Sequence, residues 1–216
     1  PVALIGLATI AAAAAYAGRF GGRRLAAHAA FVLASSVGFL FSCRLVLLDV
    51  LFAALVASVL FLFHAIAAGK APKTRPWLAA LYVLLGLAVL TKGPVGFAVP
   101  LLAIAAWLAW ERRLRDLAAL LPPWALALSL GPGLAWIAAA VALAPAGFFD
   151  AAIVDNLFGR AVQGTAHARP FWFYLRKFPV DLLPWLLLLP VTISVGRGAL
   201  RDPEAGRGCR FLIAWI

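Results

Sequence analysis

The chain has 216 residues, of which 65% are hydrophobic and only 12% charged, and its mean hydropathy is +1.01. That balance excludes an ordinary soluble domain. Lys and Arg number 19 against 8 Asp and Glu, a net charge of +11, and in so apolar a chain a basic surplus reports topology before it reports nucleic acid, which is not an expected partner. There is no methionine, the chain opens on Pro1, and it stops inside the apolar run that follows Arg210. It therefore reads as an internal piece of a longer membrane protein.

A membrane helix needs roughly 17–25 mostly apolar residues, because lipid leaves every backbone amide to be satisfied within the segment. Seven stretches approach that length, at 1–18, 25–42, 50–68, 77–91, 94–110, 124–143 and 178–195, and an eighth begins near Phe211. The expected fold is all-α, a polytopic transmembrane bundle of about seven spans plus the start of an eighth, with residues 1–216 forming one membrane domain. No basic segment precedes the first stretch and the apolar runs never cease, so it is not a signal peptide.

Seven crossings make the connecting loops alternate between two sides. One set holds Arg19, Arg23, Arg24, Lys70, Lys73, Arg75, Arg112, Arg113, Arg115, Arg197, Arg201, Arg207 and Arg210, thirteen in all, and the other holds Arg44, Lys92, Arg160, Arg169, Arg176 and Lys177, which is six. The positive-inside rule makes the first set cytoplasmic and puts Pro1 on the exoplasmic side. Trp77, Trp107, Trp110 and Trp124 fall at the cytoplasmic interface, as an aromatic belt does. Cys43 and Cys209 lie on opposite sides and are not expected to pair.

The polar residues that orientation does not explain gather on the exoplasmic face. Asp49 opens the third span directly after an apolar run; it is either a helix N-cap or a carboxylate that binds a sugar hydroxyl, a cation or Lys92. Lys92 ends a run of 15 residues, 77–91, about 22 Å at 1.5 Å per residue and short for a hydrocarbon core. It sits at or just below the lipid surface, where it either snorkels or meets an anion. Gly93-Pro94 then starts a new helix, and a lysine beside free helix N-terminal amides is a simple phosphate site.

The exoplasmic loop 145–177 is long for a membrane connection and mixes aromatics with charges: Asp150, Asp155, Asn156 and Arg160, then His167, Arg169, Phe171, Trp172, Phe173 and Tyr174. Such loops are usually functional; the plainer reading is an interfacial amphipathic helix with an aromatic anchor. No metal site is expected, since His167 has no second histidine on its side: His28 and His64 lie inside spans two and three, towards the cytoplasm. Walker-type loops, paired CxxC motifs and a serine nucleophile elbow are all missing from the sequence.

Leu48-Asp49, the run Gly86-Leu87-Ala88-Val89-Leu90-Thr91-Lys92-Gly93-Pro94, Asn156 to Arg160, His167 to Tyr174 and Leu183-Pro184-Trp185 occur in an order that resembles one family. It is the polyprenyl-phosphate-sugar-dependent membrane glycosyltransferases, which include lipid A aminoarabinose transferases and protein O-mannosyltransferases and share the C-type glycosyltransferase fold. The resemblance runs over nearly the whole chain. It implies a multi-pass protein of the bacterial inner membrane that moves a sugar from a polyprenyl-phosphate carrier to an exoplasmic acceptor, such as lipid A, a glycan or a protein. Lys92, Arg160 and Arg169 would bind the lipid phosphate, Asp155, Asn156, His167, Phe171, Trp172 and Tyr174 would border the sugar and lipid groove, and Asp49 would lie in the cavity near the reacting centre. The partners implied are the lipid-linked donor, as substrate, and membrane lipids; no definite cofactor is implied, and a divalent cation stays open. Two departures accompany the resemblance. The family's acidic base lies in a first exoplasmic loop that would precede Pro1, so this chain alone is not expected to catalyse transfer, and some members carry a histidine where Asn156 stands. A transporter or flippase of lipid-linked sugars and a non-catalytic membrane subunit are the alternative readings.

Overall fold

A computed structural model of the chain describes residues 2–45, 48–119, 122–143 and 172–215. Every regular element among them is helical. The first, α1 (Val2–Ser35), is interrupted at Gly21 (φ −132°, ψ 17°) and Gly22 (φ 66°, ψ −163°). Only glycine adopts the second of these without strain. A Cβ on Gly18 would lie 3.3 Å from Ala26 Cβ, and one on Gly6 would lie 2.6 Å from Cys43 Sγ, so the two arms run back along each other as a hairpin. The stretches 1–18 and 25–42 are therefore separate helical arms with a two-glycine turn between them. The second arm breaks at Ser36, whose backbone is extended (φ −71°, ψ 125°), and resumes as α2 (Val37–Arg44).

Next come α3 (Leu48–Ala67) and α4 (Arg75–Lys92), of 20 and 18 residues, with Pro76 in the first turn of α4, where its missing N–H costs nothing. Gly93 (φ 64°, ψ −142°) ends α4 and starts α5 (Pro94–Trp110) with no residue between. The short α6 (Asp116–Ala119) precedes α7 (Pro123–Leu143). Later in the chain are α8 (Trp172–Asp181), which begins within the stretch 145–177, a 3-10 turn (Trp185–Leu188), α9 (Leu189–Ala199) and α10 (Pro203–Trp215). Four of the described helices are long and apolar enough to cross a membrane: α1, α3, α4 and α7. The chain is a multi-pass integral membrane protein, and large apolar side chains such as Leu4, Phe31, Leu102, Leu134 and Val195 face outward, as lipid allows.

The buried centre forms where α3, α4, α5, α7 and α10 meet. Leu60, Phe63, Leu81, Tyr82, Leu85, Ile104, Trp107, Leu108, Ala125 and Phe211 are its main members. Lipid tails are as apolar as these side chains, so what holds the helices together is close packing and hydrogen bonding rather than exclusion of water. Small residues permit the approach: a Cβ on Gly86 would lie 2.8 Å from Leu128 O in α7, and Ala125 there has no exposed surface.

Three sequence expectations change. The stretch 178–195 is not one straight crossing, because the chain bends by 99° between residues 175–181 and 185–199. The bend docks on the break at Ser36: Val37 N donates to Leu183 O (3.0 Å) and Trp185 Nε1 to Ser35 Oγ (3.1 Å). Backbone groups freed at one interruption are thus satisfied by the other, the condition for broken helices at membrane depth. The last helix begins at Pro203 rather than near Phe211, and Phe211 is a core residue, only 1% exposed. Trp107 belongs to no lipid belt. It is buried edge-on to Phe63, His64 and Phe211, and its indole N–H donates to Arg207 O at 3.2 Å. Trp110 and Trp124 do remain exposed.

Loops assigned to one side by charge do meet at one end of the bundle. Arg19 donates to Lys70 O (3.0 Å) and its guanidinium lies 5.3 Å over the Trp77 ring. Glu111 accepts from Arg210 (2.5 Å), with Arg207 3.8 Å away. Both cysteines are free thiols.

Candidate lipid-phosphate site

The site is set by the register of an antiparallel pair. Residues 68–74 return the chain from the end of α3 to the start of α4, so the first turn of α3 and the last turn of α4 share the end opposite Arg19 and Glu111. Asp49 occupies that first turn and Lys92 that last one, and Lys92 Nζ forms an ion pair with Asp49 Oδ1. The ammonium also lies 5.1 Å over the ring of Phe52, which follows Asp49 by three residues and shares its helix face. Carboxylate and ring together fix where the charge stands.

The pair is open. Lys92 keeps 39% of its side-chain surface exposed and Asp49 65%, so an anion can reach the ammonium without the helices parting. Such an exposed pair contributes only about 0–1 kcal/mol to stability; its value is positional. Asp49 lies inside the helix rather than at its N-cap, so capping does not account for it.

The helix start beside Lys92 offers fewer amides than the sequence suggests. Pro94 has no N–H, and Gly96 N donates to Gly93 O at 2.9 Å. Gly93 N turns back to Val89 O (2.6 Å) and Thr91 Oγ1 to Ala88 O (2.7 Å). The attraction for an anion here rests on the ammonium, with little help from free helix amides. Gly96 is what lets α5 fold straight back: a Cβ there would lie 2.2 Å from Ala88 O.

Arg160, Arg169, Asp155, Asn156, His167 and Phe171 lie outside the described residues, so their expected roles gain no geometry here. Trp172 opens α8 half-exposed, with the Arg176 guanidinium 5.5 Å from its ring centre; Tyr174 is in the same helix. Lys177 pairs with Asp181. Asp181 packs so closely on α2 that a Cβ on Gly38 would lie 2.5 Å from its Cβ. Sequence reasoning passed over Asp181 and over the clasp between Trp185 and Ser35. Two adjacent serines inside an apolar span were the available signal for the second.

It also missed the pair at the heart of the bundle. His64 is buried, its Nδ1 shares a 2.7 Å hydrogen bond with Tyr16 Oη, and its ring stacks on Phe211 at 4.2 Å. Among the described residues no group of three or more His, Cys, Asp or Glu side chains is placed to hold a metal ion.

Comparison with known proteins adds three findings. Residues 2–152 match the dolichyl-phosphate-mannose-protein mannosyltransferase family. The undecaprenyl phosphate-alpha-4-amino-4-deoxy-L-arabinose arabinosyl transferase of Erwinia tasmaniensis is 30% identical over 165 residues, 72% of this chain and 27% of that protein. The enzyme of the same name from Edwardsiella ictaluri is 33% identical over 62% of this chain and 24% of its own. The chain thus spans about a quarter of the length of the curated relatives it matches. Crystal structures of ArnT from Cupriavidus metallidurans, in the apo state and bound to undecaprenyl phosphate, superpose with TM-scores of 0.72 and 0.77 at 23% identity, covering 99% of this chain and 38% and 39% of theirs. At that identity the likeness establishes the fold, the C-type glycosyltransferase arrangement of helices.

Proposed function

The chain belongs to the dolichyl-phosphate-mannose-protein mannosyltransferase family, and from that premise we propose that it forms the carrier-phosphate half of a membrane glycosyltransferase. The donor is a polyprenyl-phosphate sugar, and the acceptor stands on the exoplasmic face of the bacterial inner membrane. Undecaprenyl phosphate, named for the relatives and bound in one of the similar structures, is the carrier class favoured. Residues 1–216 act as one membrane unit, with 145–177 as the exoplasmic loop that borders the donor.

One observation carries this reading: an accessible, positioned cation, Lys92, at the end of the bundle opposite the basic surplus. A polyprenyl phosphate keeps its chain in lipid and its phosphate at the interface, the depth of a cation at the end of a spanning helix. As the bond from the anomeric carbon to the phosphate oxygen breaks, negative charge grows on the leaving phosphate. A fixed ammonium stabilises that charge more than it stabilises the intact donor. Asp49 serves as a positioning residue that keeps its ion pair with Lys92 while the ammonium's remaining N–H donors reach the phosphate. Because Asp49 is engaged in this way, the carboxylate that takes the acceptor's proton is a different one. Arg160 and Arg169 supply further phosphate contacts, and Asp155, Asn156, His167, Phe171, Trp172 and Tyr174 line the sugar and lipid groove.

The test is to supply membranes containing the intact protein with a polyprenyl-phosphate sugar and follow both products. Release of polyprenyl phosphate together with a glycosylated acceptor supports transfer. Passage of the intact lipid-linked sugar across the bilayer without cleavage would make the protein a transporter.

Asp49→Asn keeps the shape and removes the charge. We expect transfer to fall about tenfold, mainly through a raised KM for the donor, with thermal stability unchanged because the pair is exposed. Wild-type kinetics in this variant would remove the charged role of Asp49.

A further inference from the structure

The basic end of the bundle carries a second binding feature, distant from Lys92. Between the first arm of α1, the later half of α3 and the start of α4 runs a groove of about 210 Å³. Ala12, Ala15, Phe61, Leu62 and Ala65 make its walls apolar. Its two polar side chains within are already partnered, Ser58 donating its hydroxyl to Ala54 O (2.7 Å) in its own helix and Tyr16 Oη sharing the 2.7 Å hydrogen bond with His64 Nδ1. At the mouth stand Arg19 and Trp77. The guanidinium is held by Lys70 O at 3.0 Å and by the Trp77 face at 5.3 Å. That clamp uses one of its five N–H donors, and no carboxylate among the described residues pairs with the charge.

The surrounding charges are one-sided. The two turns that meet here contribute Arg19, Arg23, Arg24, Lys70, Lys73 and Arg75. Of the acidic residues at this end, Glu111 pairs with Arg207 and Arg210, Asp116 pairs with Arg113, and Asp202 accepts from Ala205 N–H at 2.7 Å. An apolar trough in a membrane helix bundle with a fixed cation at its interfacial mouth matches one kind of molecule. Its head must be anionic and its tail must be a hydrocarbon chain.

We propose that this groove binds an anionic phospholipid from the leaflet at the basic end, with the phosphate on Arg19 and an acyl chain along the Ala12–Ala15 wall. Basic pockets between membrane helices recognise anionic headgroups in this way. A zwitterionic lipid would bring an ammonium group against the basic side chains of these two turns. Free phosphate would leave the apolar walls unused. Bound there, the lipid joins α1 to α3 and α4 at the end opposite the donor site.

The experiment places the intact protein in phosphatidylcholine nanodiscs, adds phosphatidylglycerol and counts retained lipid by native mass spectrometry. Two variants are compared with wild type: Arg19→Ala, which removes the headgroup contact, and Ala15→Phe, which fills the trough and leaves Arg19 in place. Each is expected to weaken phosphatidylglycerol retention at least about tenfold, while Lys92→Ala leaves it at the wild-type level. Inorganic phosphate at matched concentration should not displace the lipid. Wild-type retention in either groove variant, equal retention of added phosphatidylcholine, displacement by inorganic phosphate, or loss in Lys92→Ala would each overturn the proposal. Because the donor site uses Lys92, failure here leaves the transfer reading standing, and failure of transfer leaves this site standing.

Discussion

Lys92→Ala in the intact protein is expected to lower kcat/KM for sugar transfer by about a hundredfold or more, close to 3 kcal/mol of transition-state stabilisation. Removing a single preorganised charge from a developing anion has this order of effect in other enzymes, and the geometry concentrates that role on one group here. Pro94 has no amide hydrogen and Gly96 N–H is committed to Gly93 O, so the turn after Lys92 has little with which to replace the ammonium. Lys92→Arg should recover part of the loss, because charge is restored at a different reach and shape. Stability should hardly move, since the lost ion pair is exposed. The check is steady-state transfer kinetics beside thermal unfolding in detergent; a loss of activity that tracks a loss of fold would argue for a structural lysine.

Gly96→Ala is expected to be the most damaging one-methyl change in the described helices. The added carbon would meet Ala88 O at 2.2 Å, Ala88 C at 2.3 Å and Val89 N at 2.6 Å, all of them backbone atoms of α4. No rotamer change relieves such a contact, so α4 and α5 must part. Overpacking of this kind costs about 1–3 kcal/mol or more. Lys92 stands on the last turn of α4, so separation also shifts the ammonium, and transfer should fall together with stability. Gly131→Ala is the control, since a Cβ there meets nothing within 4 Å. It should be neutral or slightly stabilising, because alanine is the better helix former. Thermal unfolding of the two variants, measured side by side, decides the matter. Equal stability would mean that the α4–α5 approach is looser than described.

The helices were readable from composition because lipid imposes one rule, that backbone groups be satisfied within each segment, and apolar runs of sufficient length obey it. The turn at Gly21-Gly22 and the shared end of Asp49 and Lys92 follow from the same alternation of spans. The bend within 178–195 was not readable. That stretch is as apolar as a straight span, and what breaks it is tertiary: Leu183 O and Trp185 Nε1 find partners at Val37 and Ser35, about 150 residues earlier in the chain. Trp107 and Phe211 were misread for a related reason. Hydropathy says that a residue avoids water without saying whether it faces lipid or other helices, and these two are buried against His64. Lys92 stands out because the apolar run before it, 77–91, is short and so draws the charge towards the hydrocarbon, where it is costly. Arg19 resembled its basic neighbours in sequence, and only the clamp formed by Lys70 O and Trp77 sets it apart.

The central claim, that Lys92 holds the carrier phosphate, is tested most directly by binding without turnover. The affinity of the intact protein for polyprenyl phosphate should be measured for wild type, Lys92→Ala and Arg19→Ala. A drop of roughly ten- to a hundredfold in Lys92→Ala, with Arg19→Ala unchanged, is the result expected for one charge-assisted phosphate contact at this end of the bundle. Wild-type affinity in Lys92→Ala would contradict it.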